Sequence, residues 1–206
     1  MKIGPKYKIA RRLGPSVFEK TQTQKFALSQ ERRGMKPRGR GRGPTEYGKQ
    51  LLEKQKVRMT YGLTERQFSK YVAQAMKTHA TAELTPTDVL HRALELRLDN
   101  VVYRMGLAPT RQAARQMVSH GHITVNGRKT TVPSRHVSLT EKIGVREGSK
   151  KSVLFENFGE RFAERSLPSW LTWNPKSMEG GVANMPSEEA ATPAGDLSVV
   201  LSFYSR

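Results

Sequence analysis

The sequence predicts an α+β protein: a helical region, two further helices laid on a small antiparallel sheet, and an extended basic arm in front. Three observations predict it. Apolar residues recur at helical spacing between Thr45 and Leu96. The pair Asn126-Gly127, set between two short runs that favour strands, marks a β-hairpin. The first 45 residues carry dense positive charge and only sparse apolar anchors.

The arm spans residues 1–45. Lys6, Lys8, Arg11 and Arg12 come first, with Ile9, Leu13, Val17 and Phe18 scattered among them without a sustained period. Lys36-Pro37-Arg38-Gly39-Arg40-Gly41-Arg42-Gly43-Pro44 follows. Alternating Gly and Arg buries no face and holds no regular structure by itself. It shares glycines with a phosphate-binding loop but lacks the Gly-Lys-Ser/Thr ending that places a lysine and a hydroxyl on phosphate and metal. Arg38, Arg40 and Arg42 are expected to thread along phosphates. The plain alternative is a solvated tail.

Helices are expected from Thr45 onward. Tyr47, Leu51 and Lys54 share a face, and Gly62 fits a C-terminal cap. Lys49, Lys54, Lys56 and Arg58 are this stretch's candidate RNA contacts, as Lys6, Lys8, Arg11 and Arg12 are the arm's. Thr64 and Gln67 have the spacing of a capping box, and Phe68, Tyr71, Val72, Ala75 and Met76 then trace an amphipathic stripe. Thr85-Pro86 starts a third helix, with Asp88 in its first turn and Val89, Leu90, Ala93 and Leu94 inside.

Leu98, Val101, Val102 and Met105 mark a short helix ending at Gly106, and Pro109-Thr110 opens another, with Ala113, Ala114, Met117 and Val118 inward. Arg111 and Arg115 are four apart and share its outer face. Ile123-Thr124-Val125 and Arg128 to Val132 read as paired strands, and Val137, Leu139, Ile143 and Val145 continue the strand pattern. Residues 148–166 read as helical and charged, and Leu167 to Trp173 as an extended aromatic segment. Residues 176–195 are rich in Gly, Pro, Ala and Glu and read as a loop. Leu197, Val199, Leu201 and Phe203 alternate and predict a terminal strand.

Charge limits the function classes. Of 206 residues, 36 are Lys or Arg and 18 are Asp or Glu, a formal net charge of +18. So basic a chain calls for a polyanionic partner, nucleic acid by default. No apolar run approaches the roughly 18–20 residues of a membrane span, and Met1 to Pro5 lacks the apolar core of a signal peptide, so a cytoplasmic protein with no membrane partner is expected. The absence of cysteine rules out disulfides, thiolate zinc sites and a Cys nucleophile. His120-Gly121-His122 supplies two potential metal ligands without a third. No cofactor, metal or small-molecule substrate is expected.

Residues 97–132, from Arg97-Leu98-Asp99-Asn100-Val101-Val102-Tyr103-Arg104-Met105-Gly106 through Thr110-Arg111-Gln112-Ala113-Ala114-Arg115 to His120-Gly121-His122-Ile123-Thr124-Val125-Asn126-Gly127, resemble the small basic RNA-binding module first named for small-subunit ribosomal protein four. Tyr47-Gly48, Glu53 to Arg58, Tyr61-Gly62, Glu65 to Phe68, Trp170-Leu171 and the closing Tyr204-Ser205-Arg206 resemble the flanks of that ribosomal family. The resemblance implies a helical domain at 46–96, an inserted module of αL type at 97–159, and a return to the helical domain at 160–206. It implies binding of a multi-helix junction in small-subunit rRNA early in assembly, contact with the subunit's fifth protein, a part in decoding accuracy, and proximity to the site where mRNA enters the subunit. Arg97, Arg104, Arg111, Arg115, His120, Arg128 and Lys129 are then the module's expected RNA contacts. Many bacterial members hold zinc on four N-terminal cysteines that this chain lacks, so its arm is expected to be ordered by RNA or by packing. The loop Pro186-Ser187-Glu188-Glu189 is acidic where the family leads one to expect a basic residue, which puts that loop's contact in question.

Two rivals stand beside this reading. Arg97-Leu98-Asp99 is similar to the catalytic loop of pseudouridine synthases, which often carry the same module and use the aspartate as nucleophile. Here Asp99 lies within the module's own first helix, and about 60 residues follow the module, too few for the separate catalytic domain of those enzymes. A helix-start or arginine-pairing role fits Asp99 better. The other rival is a free RNA-binding regulator or ribosome-rescue factor using the same module.

Overall fold

The structure is a computed structural model that describes residues 3–34, 45–78, 84–156, 167–187 and 194–205. It divides into two compact units: residues 1–87 with 193–206, and residues 88–192.

The first unit opens with α1 (Lys6–Leu13), two 3-10 turns (Pro15–Val17 and Glu19–Thr21) and α2 (Gln24–Gly34). Helices and turns thus stand in residues 6–34, where an extended arm is expected. Ala10, Val17, Phe18 and Phe26 form a small buried core, with Tyr7 packed edge-on against Phe26 at 5.2 Å between ring centroids. The Thr21 hydroxyl donates to the carbonyls of Pro15 and Phe18, both at 2.7 Å, and holds the turns closed. The anchors look unperiodic because the turns between them, rather than one helix face, bring them together. Residues 35–44, and with them Arg38, Arg40 and Arg42, lie outside the described residues.

Helix α3 (Glu46–Thr60) starts at Thr45, whose hydroxyl accepts from Gly48 N. Helix α4 (Glu65–Lys77) starts at the expected Thr64–Gln67 capping box and buries Phe68, Val72 and Ala75. The chain end, residues Leu197–Tyr204, is a helix and not the expected strand. Its side chains are apolar on more than one face, so the 197/199/201/203 alternation hides a helical set in which Leu197 and Val200 are buried. Asp196 decides the matter locally: its carboxylate accepts from Ser198 N at 2.9 Å and Val199 N at 3.1 Å, an N-cap. The helix packs along α3, with Phe203 5.5 Å from Tyr47. Bonds from the Ser198 hydroxyl and the Val199 amide hold the Asp196 carboxyl below its ordinary range. A group with a depressed folded pKa stabilises above its unfolded value and loses that contribution as pH falls through the folded one. We therefore expect Asp196→Ala to cost about 0.5–2 kcal/mol at neutral pH. The gap to the parent chain should close in acid below the ordinary carboxylate range, which urea melts across pH will read.

The second unit contains α5 (Pro86–Glu95), α6 (Leu98–Arg104), α7 (Arg111–Ser119), β1 (Ile123–Val125), β2 (Arg128–Lys129), β3 (Lys142–Val145), two single-turn helices at Glu147–Lys150 and Val153–Glu156, β4 (Leu171–Asn174) and β5 (Glu179–Val182). The strands form one antiparallel sheet in the order β2-β1-β3-β5-β4. Asn126 and Gly127 make the tight turn with φ of 51° and 76°, and Val125 pairs with Arg128. Val101 and Val102 from α6, Met105 just past its end, Ala114, Met117 and Val118 from α7, and Ile123, Ile143, Val145, Trp170, Leu171 and Val182 share one core.

Three expectations change here. Residues 171–182 belong to this sheet, so the second unit runs past residue 159 and the chain rejoins the first unit near residue 193. Within the expected loop at 176–195, β5 is a strand between β3 and β4. Gly180 and Gly181 read as loop because they have no side chains, yet that is what the sheet requires: a Cβ at Gly180 would collide with the Thr172 carbonyl and the Trp173 ring. Gly180→Val should destabilise this unit by about 1–3 kcal/mol. Gly148→Ala, at a position with nothing within 4 Å of an added Cβ, should be near neutral. Chemical denaturation compares the two. The strand after the hairpin is shorter than expected, Arg128–Lys129 only, and the helical reading of 148–166 is met by the two single turns up to residue 156, with 157–166 outside the described residues.

Candidate nucleic-acid interface

Thr110 caps α7 by accepting from Ala113 N at 3.1 Å. With Ala114, Met117 and Val118 turned to the core, Arg111 and Arg115 are left half-exposed. The Arg111 Nε donates to Asn100 Oδ1 at 2.9 Å, and its guanidinium lies 4.4 Å from the centroid of the Tyr103 ring. At the end of α7, Gly121 (φ 75°) is crossed by the Lys129 side chain, and an added Cβ would collide with Lys129 Cε. Lys129 is thus drawn from β2 onto the end of α7. His120 is exposed there, its ring 6.2 Å from that of His122, while His122 Nδ1 shares a 3.0 Å hydrogen bond with the Ser149 hydroxyl. Arg128 is exposed beside the hairpin turn.

Residues 96–143 match the S4 domain family, and residues 1–91 match the family described as ribosomal protein S4/S9 N-terminal domain. A small ribosomal subunit protein uS4 from Roseiflexus castenholzii is 44% identical over 208 residues, covering 99% of this chain and 98% of its own length. The chain belongs to the uS4 family. Similar uS4 proteins are those of Herpetosiphon aurantiacus, 43% identical over 211 residues, and Halothermothrix orenii, 41% identical over 209, each alignment covering 98% of both chains.

In this uS4 chain, burial splits the expected contact residues. Arg97 is 1% exposed and forks onto Asp99, with Nε 3.0 Å from Oδ1 and Nη2 2.7 Å from Oδ2. It is withdrawn from the RNA contacts, because reaching a phosphate would strip the Asp99 carboxylate of its partner inside the core. Lys54 is withdrawn too. It is 7% exposed, its Nζ donates to Glu65 Oε1 at 2.8 Å, and it lies 4.5 Å from the centroid of the Phe203 ring. Burial alone would raise the Glu65 carboxyl, but hydrogen bonds from Lys54 and the Tyr204 hydroxyl, with the nearby charges of Lys54 and Arg58, hold it below its ordinary value. Arg104 forks onto the fully buried Glu95 at 2.8 and 3.0 Å. Arg58 donates to Gln55 Oε1 and stands 3.4 Å from Glu65. These two are first of all parts of the fold. In Lys54 and Arg104 the sequence shows a cation but not the carboxylate that faces it, whereas the arginine-pairing role expected of Asp99 is the one it has with Arg97.

The rest are outward or partly so. Lys8 and Arg12 are exposed on α1, Lys6 lies 5.7 Å from the Phe18 ring, and Arg11 donates to the Ser29 hydroxyl at 3.0 Å. Lys49 and Lys56 pair loosely with Glu46 and Glu53 one helical turn away, at 3.6 and 3.5 Å. Sequence reasoning passed over Lys142 and Arg146. Lys142 is exposed and donates its backbone N–H to Asn126 Oδ1 at 2.8 Å, beside the hairpin turn, and Arg146, also exposed, donates its backbone N–H to the His122 carbonyl. Their place on either side of the short apolar run Ile143-Gly144-Val145 was the available signal in the sequence. Beside Arg97, His136 has its pKa lowered by desolvation and by that guanidinium, which favours the neutral imidazole. Among the described residues no group of three or more His, Asp or Glu is placed to hold a metal ion, and no helix is long and apolar enough to cross a membrane.

Proposed function

We propose that this uS4-family chain is a structural, rRNA-binding constituent of the small ribosomal subunit. The observation that carries the reading is the set Arg111, Arg115, Arg128 and Lys129 displayed by α7 and the β1–β2 hairpin within the S4 domain. Such cations meet phosphates, since the deep groove of A-form RNA hides most base information. In the finer reading the chain binds a multi-helix rRNA junction early and nucleates assembly of the subunit body, touches the fifth small-subunit protein, supports decoding accuracy and lies near incoming mRNA in the cytoplasm. His120, Lys6, Lys8, Arg11, Arg12, Lys49 and Lys56, and Arg38, Arg40 and Arg42 in the glycine-rich stretch, supply further RNA contacts in this reading.

A catalytic role is disfavoured by the Asp99 carboxylate, which is 5% exposed and held in a fork by Arg97. A nucleophile needs access to its substrate. We expect no uridine isomerisation when the purified chain is incubated with small-subunit rRNA. We expect co-sedimentation with small subunits through a high-salt wash. Quantitative release in moderate salt with subunits intact would favour the free regulator or rescue factor instead.

A further inference from the structure

Arg111 is held from two sides. Its Nε donates to Asn100 Oδ1 at 2.9 Å while its guanidinium stacks 4.4 Å from the Tyr103 ring centroid. Asn100 is 2% exposed, and its own orientation is set: Nδ2 donates to Glu95 Oε2 at 2.8 Å and to the Glu95 carbonyl at 3.1 Å. Both of those partners accept only, so the amide nitrogen must face Glu95 and the amide oxygen is left toward Arg111. Glu95 is fully buried, and Arg104 grips its carboxylate with two bonds, which stops the carboxylate rotating. A chain of fixed groups thus runs Arg104, Glu95, Asn100, Arg111, with Tyr103 as a flat platform under the last.

We propose that Asn100, set by Glu95, and Tyr103 are positioning residues that hold the Arg111 guanidinium in one plane, ready to fork onto a phosphate of the rRNA. This rests on reading Arg111 as an RNA contact. A free arginine loses many rotamers when it grips a phosphate, and that loss weakens binding. Here the fold has already ordered the side chain, so less is lost when RNA arrives. The arrangement also explains why an arginine stands here, because lysine has neither the Nε donor nor the planar group to stack.

The test is a double-mutant cycle on the full chain, binding a small-subunit rRNA fragment across a range of salt. Tyr103→Leu and Asn100→Ala are made with Arg111 present and again with Arg111→Ala. With Arg111 present, each should weaken binding roughly three- to tenfold. The log–log salt slope should stay the same, because no charge is removed. With Arg111→Ala, the same changes should cost nothing further, and that non-additivity is the signature of positioning. Equal losses in both backgrounds, or no loss with Arg111 present, overturn the proposal. If Arg111→Ala alone alters neither affinity nor slope, the RNA-contact reading has failed instead. Near-ultraviolet circular dichroism checks folding, and if Asn100→Ala does not fold, the half-exposed Tyr103→Leu cycle decides alone.

Discussion

Reversing both α7 arginines, Arg111→Glu with Arg115→Glu, is expected to abolish tight binding of a small-subunit rRNA fragment while leaving the S4 domain folded. The argument is electrostatic. Each cation that meets a phosphate releases condensed counterions, and each lost contact removes roughly 0.7–0.9 from the slope of log affinity against log salt. Two lost contacts therefore flatten the slope by roughly 1.4–1.8. The two glutamates also repel the phosphates they face. Ala114, Met117 and Val118 fill the inner side of α7, and Arg111 reaches the buried Asn100 through its bond to Oδ1. Thermal melts should change by far less than binding does. Filter binding or fluorescence anisotropy across salt reads the result, and an unchanged slope would place the contact face elsewhere.

Removing the acid of the buried pair should have the largest effect on stability. Asp99→Ala leaves Arg97, 1% exposed, with its principal counter-charge gone. Breaking a buried pair from one side costs about 3–5 kcal/mol, because the remaining charge stays out of water. That is a large part of the 5–15 kcal/mol typical of a whole domain. The damage should spread locally. The backbone N–H groups of Leu98 and Asp99 donate to the carbonyls of Arg135 and Pro133, and Arg97 bridges His136, so the start of α6 and the 133–137 segment are fastened together at this pair. Asp99→Asn keeps an acceptor for Arg97 and should cost less. Urea denaturation ranks the two, and an alanine variant as stable as the asparagine one would show that the pair contributes little. Weakened RNA binding by Asp99→Ala should recover on cooling to a temperature where the variant is folded, whereas the loss in the Arg111/Arg115 variant should persist there.

Legibility varied from element to element. The Thr64–Gln67 capping box, the Thr110 cap, the Asn126–Gly127 turn and the outward face of α7 were all readable, because each signal lies within about one helical turn or one hairpin. The helix at Leu197–Tyr204 was misread because alternation and helical spacing coincide in a segment so uniformly apolar. The strand Glu179–Val182 was missed because its two glycines carry no pattern, and only the approach of Thr172 and Trp173 gives them a use.

The amino-acid sequence by itself determined the α+β class, the helix starts at Thr45, Thr64, Pro86 and Thr110, the hairpin, the polyanionic partner and the uS4 family, since all of these rest on local pattern and composition. Only the tertiary structure decided which cations face water. Lys54 and Arg97 are as basic in sequence as Arg111 and Arg115, yet burial opposite Glu65 and Asp99 ties them into the fold. The Tyr204 hydroxyl reaches the same Glu65 across 139 positions of chain. A charge is drawn inside only where a carboxylate meets it there, and chain folding sets that meeting.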